Sequence, residues 1–228
     1  MRYLRIFLFL VLAGSLAANV VLWGQVGEAR EALGELKPHT IDIRFSQFMG
    51  IHHQQAIALS QLMLDGQPTG LAGIARRITG TQLRELGEMH GWLKLWGRPL
   101  QPDRDDMTWM LLGQQPYDAE LLQYLIDCGN APEGMPGLAT QDQLQQLRQL
   151  PGGLERDRLF LRLMLAHHEG GLPMARFAAR EAHLAPVRRL AGQVVLEQSR
   201  EIQQLRSMLT LSQREVVAPD AGESLSGG

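Results

Sequence analysis

The sequence predicts an all-α protein: an antiparallel four-helix bundle built from one helical hairpin used twice, behind an N-terminal hydrophobic helix. Three observations carry that prediction. The chain opens with a single apolar run, its remainder contains an internal repeat, and each copy shows helical spacing of apolar residues between turn signals. With 228 residues and 45% hydrophobic content it is long enough to bury a real core.

The apolar run extends from Ile6 to Trp23, interrupted only by Gly14, Ser15 and Asn19, and follows Arg2 and Arg5. Residues 1–24 are therefore a signal anchor or a signal peptide. A cleaved peptide would use Ile6–Leu12 as its apolar segment and Ser15-Leu16-Ala17 as its small-x-small site. An uncleaved anchor would use the whole span, close to the ~20 apolar residues that a bilayer requires. Val20, Val21, Leu22 and Trp23 keep the run apolar beyond the cleavage site, which favours the anchor. The arginines then stay cytoplasmic. In either case the rest of the chain lies in the cell envelope or outside, and residues 25–39 read as a linker.

The repeat is the central observation. Asp42, Phe45, Met49, His52 and His53 match Asp157, Phe160, Met164, His167 and His168, each pair 115 positions apart (52 to 167, for example). Gln82, Glu85, Leu86, Trp92 and Leu93 match Gln198, Glu201, Ile202, Met208 and Leu209, each pair 116 apart (82 to 198). The first hairpin occupies residues 40–97, with helices expected over Thr40–Leu64 and Leu71–Trp96. Asp65-Gly66-Gln67-Pro68 divides them and Gly97 closes the second. The second hairpin occupies residues 154–211, with helices over Leu154–His183 and Ala185–Leu211; Pro186 falls in a first turn, where a missing N–H is tolerated. Residues 98–153 form a connector with short helices: Tyr117–Cys128 has helical spacing, and Thr140-Gln141-Asp142-Gln143 resembles a capping box. The tail, residues 212–228, reads as disordered.

Composition excludes several function classes. Charged residues make up 20% and the net charge is −2, with no basic stripe, so no nucleic-acid partner is expected. The one cysteine, Cys128, rules out an internal disulfide framework and a cysteine zinc knuckle, and reads as a small buried hydrophobe. No Glu-x-x-His, His-Glu-x-x-His, Gly-x-Ser-x-Gly, Walker or dinucleotide fingerprint occurs, so catalysis has little support.

The paired histidines carry the functional reading. On a helix turning ~100° per residue, Met49 lies about one turn before His52 and His53, with Asp42 on the same side. His52 and His53 point ~100° apart, so one faces inward while its neighbour faces an adjacent helix or the rim. Imidazole binds Cu, Zn, Ni and Fe, while methionine thioether selects Cu(I). The candidate ligands are His52, His53, His167, His168, Met49 and Met164, with Asp42 and Asp157 orienting the rings as partners of the non-ligating nitrogens. Met63, Met89, Met174 and Met208 lie in the same helices. His39, His90 and His183 have no counterpart in the repeat and read as surface or rim residues. The competing interpretation makes the methionines core filler and the histidines internally hydrogen-bonded.

Phe48-Met49-Gly50-Ile51-His52-His53-Gln54-Gln55-Ala56 and Leu163-Met164-Leu165-Ala166-His167-His168-Glu169-Gly170 resemble the two signature segments of the bacterial "domain of unknown function 305" family. The Gln82…Glu85-Leu86…Met89 and Gln198…Glu201-Ile202 blocks, and Met135-Pro136-Gly137-Leu138-Ala139-Thr140, are similar to that family as well. The resemblance spans about Ile41–Leu211. It implies a ferritin-like helical bundle, usually exported, with copper binding in some members and no general enzymatic activity. Two departures stand out. Leu138 occupies a position where the family commonly has Met, and Gly170-Gly171-Leu172-Pro173 replaces an Ala-rich continuation. Pro173 removes a hydrogen bond at the Glu169 carbonyl, so a kink is predicted just after His167-His168.

Three readings result. The first is an exported metal-binding protein, most simply a copper store, buffer or delivery protein, with another transition metal as the variant. The second is a non-catalytic envelope structural or interaction module, and the third a metal-dependent redox enzyme. The partners expected are a metal ion and, if the first helix is uncleaved, the membrane. Assembly into a homo-oligomer is left open.

Overall fold

The computed structural model describes residues 2–104 and 106–217, and among them it is all-helical, with seven α-helices and no strand. The chain divides into two compact units, Met1–Lys37 and Pro38–Gly228. The first is a single helix, α1 (Arg2–Glu35), whose segment Ile6–Glu28 is long and apolar enough to cross a membrane. Residues 25–35, expected as linker, continue this helix. Glu28, Ala29, Glu31, Ala32 and Leu33 are strong helix formers, and Pro38 is the first residue able to stop them.

In the second unit the first hairpin is α2 (Thr40–Leu62) and α3 (Ala72–Leu95). Gly97 adopts φ +63° after α3, and the Arg98 N–H returns to the Leu93 carbonyl at 2.8 Å, the left-handed helix stop that its sequence position suggests. The connector holds a 3-10 turn (Thr108–Leu112), α4 (Ala119–Asn130) and α5 (Gln141–Gln149). The capping box at α5 is present: Thr140 Oγ1 accepts from the Gln143 N–H and Gln143 Oε1 accepts from the Thr140 N–H. The second hairpin is α6 (Leu154–Glu181) and α7 (Ala185–Val217). α7 runs six residues beyond its expected end, and residues 218–228 of the expected tail lie outside the described residues.

α6 continues through Pro173 as one helix, so the proline does not end it. Proline deletes one intrahelical bond, whereas the turn that contains it is held by packing: Leu172, Met174, Ala175, Phe177 and Ala178 are all buried.

Each hairpin pairs its own helices, and the hairpins meet through α2 against α6. These two run antiparallel. Asp42, near the start of α2, bonds Leu184 just past the end of α6, while Asp65 and Leu62, at the end of α2, bond Arg156 at the start of α6. Two apolar clusters fill the interior. One contains Phe45, Phe48, Met49, Trp109, Met174 and Phe177, and the other Leu59, Met63, Ile78, Phe160, Met164 and Leu205. Cys128 is a free, buried thiol in the first, and burial pushes its pKa up to about 11. The midpoints of α2 and α6, where the histidine pairs stand, lie between the clusters.

Candidate metal centre

Because α2 and α6 cross with their duplicated faces toward each other, His52 and His167 come together at the centre. Their ring centroids are 3.7 Å apart with planes tilted by 37°. Their neighbours turn away toward the outer helices. His53 Nε2–H donates to Glu85 Oε2 on α3 at 2.6 Å, and His168 Nε2–H donates to Glu201 Oε2 on α7 at 2.6 Å. His167 Nε2–H donates to the backbone carbonyl of His52 at 2.8 Å. All four side chains have 0% exposure.

This bonding leaves a defined set of ring nitrogens free. Nδ1 of His53, His167 and His168, and both nitrogens of His52, are buried without a hydrogen-bond partner. With Nε2 as donor, a neutral ring presents a lone pair on Nδ1. Burial drives the pKa of His52 well below its ordinary 6.5, assisted by the imidazoles of His167, His53 and His168. Burial lowers that of His167 likewise, with His168 next; the hydrogen bond to the His52 carbonyl opposes the shift, and His53 adds to it. The inner pair is therefore neutral, the state in which imidazole binds metals.

The expected methionines flank the histidine layer, and the expected aspartates stand elsewhere. Met49 and Met164 are both fully buried but belong to different apolar clusters. Each precedes its histidine by one turn, and the helices are antiparallel, so the two sulfurs lie on opposite sides of the histidine layer. Asp42 and Asp157 do not orient the imidazoles. Asp42 accepts from the His39 N–H (2.7 Å) and the Leu184 N–H (2.9 Å), and Asp157 accepts from Thr69 Oγ1–H (2.6 Å) and the Gly70 N–H (3.0 Å). Ten helical residues rise ~15 Å, so a carboxylate on the correct face still ends at the rim of the bundle. There each aspartate ties down the hairpin turn of the other repeat. Among the described residues, no group of three or more His, Cys, Asp or Glu side chains is placed to hold one ion.

The orienting carboxylates are instead Glu85 and Glu201. Both belong to the second duplicated block, and that duplication was the signal available in the sequence. Gln82 and Gln198 from the same block are also buried, with amide groups lacking partners. Gln198 borders the site: a Cβ added at Gly171 would lie 2.6 Å from His52 Cε1 and 3.3 Å from Gln198 Oε1. Gly170 has a different neighbour, since its added Cβ would overlap the Pro136 carbonyl. Gly137, at φ +81°, lies against the Ala166 carbonyl in the same way. Gln55 grips the other side of this segment, with Oε1 accepting from the Ala139 N–H (2.6 Å) and Nε2–H donating to the Ala139 carbonyl (2.8 Å). The segment from Pro136 to Ala139 thus straps α2 to α6 beside the histidines. Leu138 is half-buried against the methionine-bearing cluster that contains Met135.

Of the histidines outside the repeat, His90 is half-buried, and burial lowers its pKa, with Lys94 contributing. His39 and His183 are exposed and stack on each other.

Comparison with known proteins identifies the family and the fold. The crystal structure of a DUF305 protein from Streptomyces coelicolor is 30% identical, with a TM-score of 0.63 over 75% of this chain and 93% of that one. A DUF305 fragment from Deinococcus radiodurans is 26% identical, with a TM-score of 0.57 over 76% of this chain and 98% of that one. CopM in its Cu(II)-bound form shares the fold at 24% identity, with a TM-score of 0.53 over 74% of this chain and 95% of that one. No curated protein matches. Residues 42–209 match the family described as Domain of unknown function (DUF305), and the chain belongs to that family.

Proposed function

We propose that this protein binds copper, as Cu(I), at the histidine layer between α2 and α6, and that it serves as a copper store or buffer on the outer side of the membrane that α1 enters. The observation that carries this reading is the set of ring nitrogens. Four buried imidazoles each keep at least one nitrogen unpartnered, and three already have Nε2–H anchored by Glu85, Glu201 or the His52 carbonyl. An unsatisfied buried polar atom costs ~1–3 kcal/mol, so a duplicated set of them calls for a ligand. Anchoring one ring nitrogen to a carboxylate or carbonyl while the other stays open is the usual setting of a metal-bound histidine. His52 and His167 form the inner pair, His53 and His168 the outer pair, and Met49 and Met164 supply soft sulfur on either side, which favours Cu(I). CopM, which shares the fold, has been solved in Cu(I)- and Cu(II)-bound forms. Full burial makes exchange depend on local opening of the bundle, a property suited to storage. Arg2 and Arg5 ahead of the apolar helix favour an anchor with the bundle on the non-cytoplasmic side.

The test is anaerobic Cu(I) titration of the full chain in detergent against a competing chelator, repeated with His52→Ala/His167→Ala. Tight binding that the double substitution abolishes is expected. Absence of tight binding, or binding indifferent to the substitution, ends the reading. One observation favours a second reading: His53–Glu85 and His168–Glu201 are internal hydrogen bonds that fix helix register. A purely structural module would lose stability on His53→Ala, and its melting temperature would ignore copper.

A further inference from the structure

His39 and His183 form a second histidine pair, at one end of the bundle. Their ring centroids are 3.7 Å apart with planes only 7° from parallel, and both residues are exposed. They come from different repeats. His39 directly precedes α2, and His183 lies in the short turn between α6 and α7. The 115-residue register places Leu154 opposite His39 and Pro68 opposite His183, so the other end of the bundle has no such pair and the scaffold closes without it.

The backbone beneath the rings is held from both sides. The buried carboxylate of Asp42 accepts from the His39 N–H at 2.7 Å and from the Leu184 N–H at 2.9 Å, so one side chain sets the spacing of both histidines. Across the turn, Arg188 Nη1 donates to the Ala182 carbonyl at 2.7 Å and to the His183 carbonyl. The anionic Asp42 and the cationic Arg188 flank the pair with opposite charges. Two nitrogens bound to one first-row ion at ~2.0–2.1 Å each stand at most about 4 Å apart. The ring centroids stand 3.7 Å apart, within reach of one ion, and chelation requires each exposed ring to turn out of the stack until a nitrogen lone pair points at the shared ion.

From this geometry we infer that His39 and His183 form a solvent-facing site for a borderline divalent transition cation, distinct from the interior histidine layer. Neither ring has a described sulfur ligand beside it, so the donor set is nitrogen only and favours Cu(II) or Zn(II) over Cu(I). Water completes the coordination, which makes the site open and exchangeable where the interior is closed. The fixed backbone reduces the ordering cost of chelation relative to two free surface histidines.

The test uses untagged full-length protein in detergent with its interior first loaded with Cu(I), then titrated with Cu(II) and followed by electron paramagnetic resonance and equilibrium dialysis. Wild type should take up one further equivalent with nitrogen hyperfine structure from two imidazoles. His39→Asn/His183→Asn should lose that equivalent, and each single substitution should weaken it at least tenfold. His52→Ala/His167→Ala should retain it, which separates this site from the proposed interior function. Circular dichroism of the Asn variants checks the fold, and both positions are exposed enough to tolerate the change. A Cu(II) signal that persists undiminished in the double Asn variant, or that disappears only with His52 and His167, overturns the inference.

Discussion

The two repeats are equal at their outer histidines and unequal at their inner ones. His53 reaches Glu85 and His168 reaches Glu201 with the same atoms at the same 2.6 Å. At the centre, His167 is tethered to the backbone of His52, while His52 has no hydrogen bond from either ring nitrogen. The sequence difference behind this is Gln54-Gln55-Ala56-Ile57-Ala58 in the first copy against Glu169-Gly170-Gly171-Leu172-Pro173 in the second. A duplicated bundle has one connector between its copies, and that connector must treat the copies differently. It is gripped by the Gln55 side chain on α2 and lies directly on the Gly170 backbone of α6. The glycines that depart from the Ala-rich family pattern make room for the strap and, at Gly171, for the His52 ring.

That comparison breaks most visibly at Gly170. Gly170→Ala should lower stability by about 1–3 kcal/mol, the usual penalty of overpacking, although alanine is intrinsically ~1 kcal/mol the better helix former. The obstructing atoms are backbone, from Pro136 and Gly137, and cannot swing aside. Gly171→Ala meets an imidazole, which can move, so its stability loss should be smaller while Cu(I) affinity falls with the displaced His52 ring. Urea denaturation compares the two; a Gly170→Ala protein as stable as wild type would mean that the connector does not bear on α6.

The equal half of the comparison is sharpened by Glu85→Gln and Glu201→Gln. Each keeps shape and an acceptor oxygen but removes the charge that orients the outer imidazole. Changes of this kind weaken metal binding ~10–100-fold. Competitive Cu(I) titration should show similar losses for the two variants. If only one weakens binding, the outer pairs are not equivalent, and if neither does, the outer histidines hold register rather than metal.

The helical class was legible because period and repeat are properties of a line of residues. Apolar spacing, Gly97, and the duplicated blocks all survive without three-dimensional information. Part of the site was legible for the same reason: adjacent histidines must diverge by ~100°, and they do, one inward and one toward the neighbouring helix. Asp42 and Asp157 failed because angular position was considered without rise along the axis. Glu85 and Glu201 lay in plain view as duplicated carboxylates, but linking them to the histidines required knowing how each hairpin aligns its helices. Gly170 and Gly171 resisted because their neighbours lie more than thirty positions distant or across the repeat boundary. A helix-breaking sequence and a close-packing sequence are identical until the partner is seen.

The smallest effect concerns the two ends of the bundle, where the repeat also fails to match itself. Arg156, fully buried at the start of α6, donates to Asp65 through Nη2 at 2.6 Å and Nη1 at 3.1 Å, and to the Leu62 carbonyl at 2.7 Å. The 115-residue register puts Ile41 at the corresponding place in the first repeat. Arg156, above all, with help from the Gln67 N–H, holds the Asp65 carboxyl down from its ordinary 3.8 to about 2. A carboxyl depressed on folding stabilises the native state above its unfolded pKa and loses that contribution as pH falls through its folded value. The Asp65 contribution is therefore complete above about pH 5, begins to fade near 3.8 and is gone near 2. Asp65→Asn should leave wild type more stable at neutral pH by a small margin, because the carboxylate is over one-third exposed and screened by solvent. Urea unfolding between pH 6 and 2 should show the two curves converging on the acid side. A gap that stays constant across that range would mean that the arginine is held only by the Leu62 carbonyl and by the Leu147 carbonyl, to which its Nε–H donates at 3.1 Å.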